Sequence, residues 1–237
     1  MPTLLFRLCG PMQSWGTRSR YTERDSELEP SKSGVAGLVC AALGWERARD
    51  VTPIAALRFG VRVDREGILE RDYHTAGGGG MGIMRASGVR STDAVLSNRY
   101  YLSDADFLCG LEGADAAFLG EIEGALRDPV WQLSLGRKSF LPSVPVHLPF
   151  GGGLRSLALE EALRAEPWPL LPTTWRWQPP AEADLRLVIE TTPSDPEAET
   201  RMDQPVGAAF RDRSFGARAI RQTTVTVARR EEPTHVP

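Results

Sequence analysis

The chain lacks the features that mark membrane, secreted and metal-binding proteins. Its 237 residues, 41% of them hydrophobic, suffice for a globular core. They include no apolar run of about eighteen residues, the length that spans a bilayer. The first residues are interrupted too early by charge for a signal peptide. Cysteine is scarce: Cys9, Cys40 and Cys109 lie in apolar stretches without zinc-site spacing. This pattern predicts reduced, buried thiols, a cytoplasmic location and no metal or cofactor.

Lysine is nearly absent, and the charges are unevenly distributed. Only Lys32 and Lys138 are lysine among the 28 basic residues, and the net charge is −3. A high-GC coding bias or a thermophilic host would explain the arginine excess equally well. Residues 131–159 contain three basic residues and no acidic one, whereas residues 103–128 contain seven acidic residues and one arginine. This distribution favours a protein that binds RNA on one side and protein partners on another.

The order of predicted elements is typical of an α+β fold. Apolar periodicity predicts a strand, a helix, two strands, a helix and a strand. This count treats the segments on either side of residues 75–98, which break the pattern, as one interrupted strand. This is the ferredoxin-like arrangement, which RNA-recognition (RRM-like) modules share. The predicted segments are residues 3–8, 35–43, 57–63, 68–74, 100–111, 115–126 and 130–135. Residues 68–74 are predicted to return antiparallel to the strand before them.

The chain is predicted to contain two units. Residues 1–142 form the ferredoxin-like domain, and an inserted β-hairpin thumb is expected over residues 75–99, where Gly77–Gly80 makes the chain too flexible for a core. A disordered surface loop is the alternative for this insertion. Residues 143–237 are rich in proline and tryptophan, and we expect a smaller, irregular, mainly β C-terminal unit.

The segment after the first strand combines small, polar and cationic residues. Such a backbone can approach a polyanion closely, because glycine removes the side-chain obstacle and arginine supplies forked donors. We interpret Gln13 and Ser14 as RNA contacts, and Trp15 either as an RNA contact or as a core aromatic. Arg18 and Arg20 are further RNA candidates, although surface solvation is the default for this loop.

The start of the first predicted helix is a candidate phosphate site. Lys32, Ser33 and Gly34 lie there, and free N–H groups at a helix N-terminus favour an anion. The alternative is an ordinary N-cap, made by Ser31 or Ser33.

Two further groups of cations are candidates for RNA binding. One is a glycine-led loop suited to a phosphate backbone, with a solvated turn as the alternative. The other belongs to the thumb, a protruding segment of the kind that becomes ordered on binding. These candidates are Arg137, Lys138 and Ser139 in the loop and Arg85, Arg90 and Arg99 in the thumb.

Five blocks in order along the chain resemble the CasD family. They are residues 10–16 (GPMQSWG), 30–34 (PSKSG), 71–75 (RDYHT), 99–107 (RYYLSDADF) and 135–139 (LGRKS). Each block is weak alone, and the combination is specific. CasD is the subunit of the type I-E CRISPR Cascade complex that holds the 5′ end of the guide RNA.

The resemblance implies a RAMP-type protein with a ferredoxin-like domain and a thumb. It implies a non-catalytic subunit that binds the 5′ handle of crRNA and packs beside the backbone and large subunits in antiviral defence. Target DNA would be an indirect partner, and no membrane is involved.

Two alternatives of other classes remain open. One is a metal-independent endoribonuclease that processes CRISPR repeat RNA, as a relative in another subtype does; Tyr73, His74 and Lys138 are its candidate acid–base groups. The other is a protein–protein adaptor, which the acidic segment 103–128 favours and the basic loops oppose.

Overall fold

The computed structural model of the protein describes residues 1–18, 22–80, 82–85, 87–149, 152–168, 181–207, 209–212 and 214–228. The helices are α1 (Lys32–Ala42), α2 (Thr52–Ala55), α3 (Ala116–Arg127) and α4 (Leu159–Ala165), with a 3-10 turn at Phe210–Asp212. The strands are β1 (Thr3–Cys9), β2 (Met12–Gln13), β3 (Glu23–Arg24), β4 (Arg58–Arg65), β5 (Ile68–Ala76), β6 (Ile83–Met84), β7 (Arg90–Ser91), β8 (Val95–Ser103), β9 (Asp106–Glu112), β10 (Leu154–Arg155), β11 (Glu182–Glu190), β12 (Glu199–Pro205) and β13 (Phe215–Ala228).

The larger sheet joins both halves of the chain. Its seven strands lie in the order β10-β1-β9-β4-β11-β13-β12, and every neighbouring pair is antiparallel. Helices combined with mostly antiparallel sheets agree with the predicted α+β class. Since β4 and β11 are hydrogen-bonded neighbours, the sheet continues across the predicted unit boundary at residue 142.

Alternation along β1 divides the interior into two cores. Leu4, Phe6 and Leu8 point into a core that also contains apolar residues of α1 and α3. Leu5 points to the opposite face and packs in a second core with α4, β11 and β13. Successive side chains of a strand alternate between the faces of its sheet, so this one strand contributes to both cores.

A second sheet is built around β8. Along one edge β8 pairs with the short strands β2 and β3, and it also pairs with β5 over its whole length, from Ile68↔Ser103 to Ala76↔Val95. The hairpin therefore begins at residue 68 rather than 75, and the two-stranded pair of β6 and β7 lies near its tip.

Three local strand predictions were wrong. Residues 68–74 pair with β8 instead of returning along β4. Residues 100–111 form two strands, because Asp104 adopts a left-handed conformation with φ 57° between them. Residues 130–135 are irregular, although Leu133 and Leu135 are buried there. Apolar content alone did not separate a packed loop from a strand in this last segment.

The three cysteines are free and buried, as the sequence predicted. Burial raises the pKa of each thiol, and the pKa of Cys40 rises to about 11. Among the described residues, no helix is long and apolar enough to cross a membrane. No group of three or more His, Cys, Asp or Glu side chains in the same part of the chain could hold a metal ion.

A buried carboxylate ties the C-terminal strands to α1. Asp203, 2% exposed on β12, accepts a hydrogen bond of 2.7 Å from the backbone N–H of Lys32 at the start of α1. It also accepts two hydrogen bonds, of 2.6 and 3.0 Å, from the Arg218 guanidinium on β13. One side chain thus stabilises a helix N-terminus and neutralises a buried arginine.

Replacing this carboxylate is expected to destabilise the whole chain. Asp203→Ala leaves the Arg218 charge and the Lys32 N–H buried without their partner, and it should lower the free energy of unfolding by about 3–5 kcal/mol. Urea titration followed by circular dichroism measures the loss. The matched control is Asp212→Ala, since that side chain is 62% exposed and 4.0 Å from Arg211. The control should change stability by less than about 0.5 kcal/mol, and equal losses in both variants would contradict this role of Asp203.

Candidate nucleic-acid interface

A groove of about 530 Å³ lies where the second sheet meets α1 and the start of β13. Its volume falls within the range of about 300–1,000 Å³ that is typical of ligand sites. Its walls contain three arginines, a phenylalanine and small polar residues, and none of the described residues that line it is acidic. The lining residues are Ser14, Trp15, Gly16, Arg24, Ser31, Ser33, Gly34, Arg99, Gly136, Arg137 and Phe215.

The edge of β8 between β3 and β2, where neither short strand pairs with it, positions Arg137. On this edge β3 pairs with Asn98 and Arg99, and β2 pairs with Leu102 and Ser103. Between them, the carbonyl oxygen of Tyr100 accepts hydrogen bonds from Arg137 Nη2 at 3.0 Å and Ser14 Oγ at 3.4 Å. A backbone acceptor therefore holds the guanidinium of Arg137 at the groove wall.

The cations of the groove are close enough to affect one another. Burial lowers the pKa of Arg137, and the positive charges of Arg99 and Arg24 lower it further, whereas Asp72 at 3.9 Å opposes them. Arginine still remains charged in proteins. Like charges at short range create a positive potential that a bound anion would relieve.

Two glycines let the backbone segments of the groove come together. Gly136 has φ +96°, and a Cβ there would overlap the carbonyl oxygen of Ser14. A Cβ on Gly34 would lie 2.9 Å from the Trp15 ring. Glycine therefore permits both close approaches, and at Gly136 it also permits the left-handed conformation.

The structure corrects the predicted roles of Gln13 and Trp15. The Gln13 side chain is fully buried; its Nε2 donates to the carbonyl oxygens of Leu8 and Ala105, and its Oε1 accepts from Trp15 Nε1 at 3.2 Å. Trp15 is 1% exposed and packs in the first core. Neither side chain has a surface for RNA, so the core alternative holds for Trp15, and Gln13 braces the turn between β1 and β2.

The predicted phosphate site at α1 is occupied by the protein itself. Lys32 is 3% exposed and its Nζ forms a 2.8 Å ion pair with Glu190, while Asp203 takes its backbone N–H. Burial lowers the pKa of Lys32, and Glu190 opposes this shift. The N-cap is Ser31, whose Oγ accepts from Gly34 N. Lys32 cannot contact RNA in this arrangement, whereas Ser33 and Gly34 do line the groove.

Some of the remaining predicted RNA-binding residues line the groove, and others lie outside it. Arg99 and Arg137 line the groove with Ser14. Arg18, Lys138 and Ser139 are exposed but do not line it. At the hairpin tip Arg85 pairs with Asp93 at 3.1 Å and Arg90 is exposed. Arg20 lies outside the described residues.

Two large side chains that line the groove, Arg24 and Phe215, were not predicted from the sequence. Arg24 lies in the same loop as Arg18 and Arg20 but was not predicted to bind RNA, and it lines the groove because β3 pairs in parallel with β8, Arg24 opposite Arg99. Phe215 comes from the C-terminal unit, whose topology the sequence left open. Both placements depend on pairing between segments far apart in the chain, and no local pattern signals them.

Two of the candidate nuclease residues, Tyr73 and His74, face in opposite directions. Tyr73 and His74 are consecutive residues of β5, so their side chains lie on opposite faces of the sheet. Tyr73 is 63% exposed, and Lys138 belongs to a different loop. Tyr73 and His74 therefore do not form an acid–base pair on one face of the strand.

Comparison with known proteins shows that the chain is similar to CRISPR-associated proteins. Residues 3–221 match the family model described as CRISPR-associated protein Cas5. The CRISPR system Cascade subunit CasD of Escherichia coli (strain K12) is 34% identical over 160 residues, which cover 61% of this chain and 69% of that protein.

Two solved structures extend the match to nearly the whole chain. A crystal structure of a Cas protein has a TM-score of 0.74 and 42% identity, covering 98% of this chain and 100% of that one. A chain of a CRISPR RNA-guided surveillance complex also has a TM-score of 0.74, with 33% identity, covering 95% of this chain and 91% of that one.

Adding one methyl group at residue 136 should disrupt the groove. Gly136→Ala forces a left-handed conformation on alanine and a clash with the Ser14 carbonyl, which should cost about 1–3 kcal/mol of stability. Thermal melting measures this loss. Gly120→Ala on α3 is the control, because nothing lies within 4 Å of a Cβ there. Alanine should stabilise that helix by about 0.5–1 kcal/mol, and a Gly136→Ala protein as stable as the parent would refute the assignment.

Proposed function

This chain belongs to the Cas5 family of CRISPR-associated proteins, and from that premise we propose that it is a non-catalytic RNA-binding subunit of a Cascade surveillance complex. In this role it binds and caps the 5′ handle of crRNA. The observation that carries the proposal is the groove, whose described lining contains Arg24, Arg99 and Arg137 and no acidic residue.

The chemistry of the groove suits a phosphate backbone. Arginine offers planar, forked donors that match phosphate oxygens, and it is the preferred residue for nucleic-acid recognition. Ser14 and Ser33 add hydroxyl groups, and the glycines let a ribose or phosphate approach the backbone closely. Burial lowers the pKa of Arg137, and repulsion by Arg99 lowers it further; a bound polyanion would offset this repulsion.

We infer that the N-terminal unit has the ferredoxin-like topology. Four strands of the larger sheet lie in the order β10-β1-β9-β4, with α1 between β1 and β4 in sequence and α3 between β9 and β10. This is the βαββαβ arrangement with a fourth strand of only two residues, Leu154–Arg155. The β5–β8 hairpin is the inserted thumb, and Arg85 and Arg90 near its tip extend the basic surface toward the guide.

Partner subunits have surfaces on which to dock. On the thumb, Leu69 and Tyr73 of β5 are 47% and 63% exposed and lie on the same face of the strand, an apolar surface suited to the backbone subunit. The acidic surface of residues 103–128 is smaller than the sequence suggests, because Asp106 and Glu112 are buried in ion pairs with Arg7 and Arg58. The large subunit is the second proposed partner. Target DNA is contacted only through the complex, and the proposed location is the cytoplasm.

Neutralising the two groove arginines should weaken handle binding. An Arg99→Gln/Arg137→Gln variant loses charged hydrogen bonds to phosphate, each of which contributes roughly tenfold in affinity. The slope of log K against log salt should flatten by about 0.7 for each phosphate that the variant no longer neutralises. Fluorescence anisotropy with handle RNA at several salt concentrations measures both quantities.

The matched control removes the same charge from other surfaces. Arg127→Gln/Arg164→Gln changes two helix residues that are 57% and 40% exposed and outside the groove. Its affinity and salt slope should stay close to those of the parent protein. An unchanged slope in the Arg99/Arg137 variant would exclude phosphate binding in the groove.

A cleavage assay separates this proposal from the nuclease alternative. Purified protein incubated with repeat RNA in EDTA should leave the RNA intact, because Tyr73 and His74 occupy opposite faces of β5. Denaturing gels report the products. Cleavage at one position, lost in His74→Ala, would overturn the non-catalytic assignment.

A further inference from the structure

Phe215 is the exposed aromatic side chain among the described residues of the groove. It is 38% exposed and opens β13, where it pairs with Pro205 of β12. Trp15, which also lines the groove, is 1% exposed and has its ring in the core. Of these two aromatic residues, Phe215 therefore offers ring surface to a ligand.

Phe215 is held at the groove by the rest of the sheet. Three residues further along β13, Arg218 forms its two hydrogen bonds with Asp203, which also accepts a hydrogen bond from the backbone N–H of Lys32 in α1. The start of β13 is thereby fixed against the helix that supplies Ser31, Ser33 and Gly34 to the groove. An exposed ring on a braced strand is a preorganised contact surface, since little conformational entropy remains to be lost on binding.

Apolar and cationic groups meet in this one groove. Phosphate binding needs Arg99 and Arg137, but it gives no reason for an exposed phenyl ring beside them. A nucleotide contains both partners: an anionic phosphate and a flat base that stacks on aromatic side chains. A base can use the ring only when it is unstacked from its neighbours in the strand.

We propose that the groove binds a single unpaired nucleotide of the handle, with its base stacked on Phe215 and its phosphate held by Arg99 and Arg137. This inference rests on the proposed function and adds a base-contacting residue to it. Every base has a flat π-face, so the contact selects for an extruded base rather than for one base identity.

A fluorescent base scan tests the stacking contact. Handle RNAs carrying one 2-aminopurine at successive positions are titrated with the full chain. Binding should quench the fluorescence of 2-aminopurine more strongly at one position than at the others. Phe215→Leu should abolish the quenching there and weaken binding about 5- to 150-fold, the range of base–aromatic stacking. Phe215→Tyr should retain both.

Two controls isolate the base from the phosphate. An abasic nucleotide at the quenched position should make binding insensitive to Phe215→Leu, because the partner of the ring is already missing. The salt slope should be the same in Phe215→Leu and in the parent, since phenylalanine contacts no phosphate. Melting curves establish that each variant is folded.

The outcomes separate this inference from the proposed function. If Arg99→Gln/Arg137→Gln weakens binding while Phe215→Leu leaves both quenching and affinity unchanged, the stacking inference is overturned and the RNA-binding role stands. If the arginine variant binds as tightly as the parent, the groove is not the RNA site and both fail. If Phe215→Leu weakens binding equally with and without the abasic nucleotide, the ring contacts no base and the inference also fails.

Discussion

The carboxylate of Asp203 is the constraint on which the site depends. It accepts hydrogen bonds from the N-terminus of α1 and from Arg218, so a helix of the N-terminal unit and a strand near the C-terminus share one buried acceptor. An unpaired buried arginine or helix N-terminus is costly, and the single carboxylate satisfies both. As a result the backbone N–H of Lys32 at the start of α1 is already bonded within the protein, and under the proposed function the phosphate contacts come from the groove arginines.

Arginines in this protein have two physical roles, distinguished by their partners. Buried arginines are matched by carboxylates or carbonyls: Arg62, which is fully buried, binds Asp64 at 2.6 Å and the carbonyl oxygen of Leu163 on α4 at 2.7 Å. Burial raises the pKa of Asp64 to about 6, although Arg62 opposes the shift. In the groove, Arg137 has a carboxylate only at 3.9 Å, and its closer partner is a carbonyl oxygen. A guanidinium held by a neutral acceptor keeps its charge available for a ligand.

The C-terminal strands contribute to the groove. In the larger sheet, β11, β13 and β12 extend the N-terminal strands past β4, and the start of β13 brings Phe215 to a site otherwise built from residues before 138. Under the proposed function, the N-terminal unit supplies the cations that hold phosphate and the C-terminal unit supplies the ring that meets a base. The two units are then parts of one binding surface.

The sequence by itself determined the local features of this protein. Apolar alternation predicted β1 and β4, helical periodicity predicted α1 and α3, and the motif blocks around Ser14, Gly34 and Arg137 marked three walls of the groove. Tertiary structure alone decided which cations remain available to a ligand. Lys32 and Arg137 look equally suitable in sequence, but Glu190 neutralises the first, and the second rests on a backbone carbonyl. Ion pairing and strand register join residues that are distant in the chain, and local patterns carry no information about such pairs.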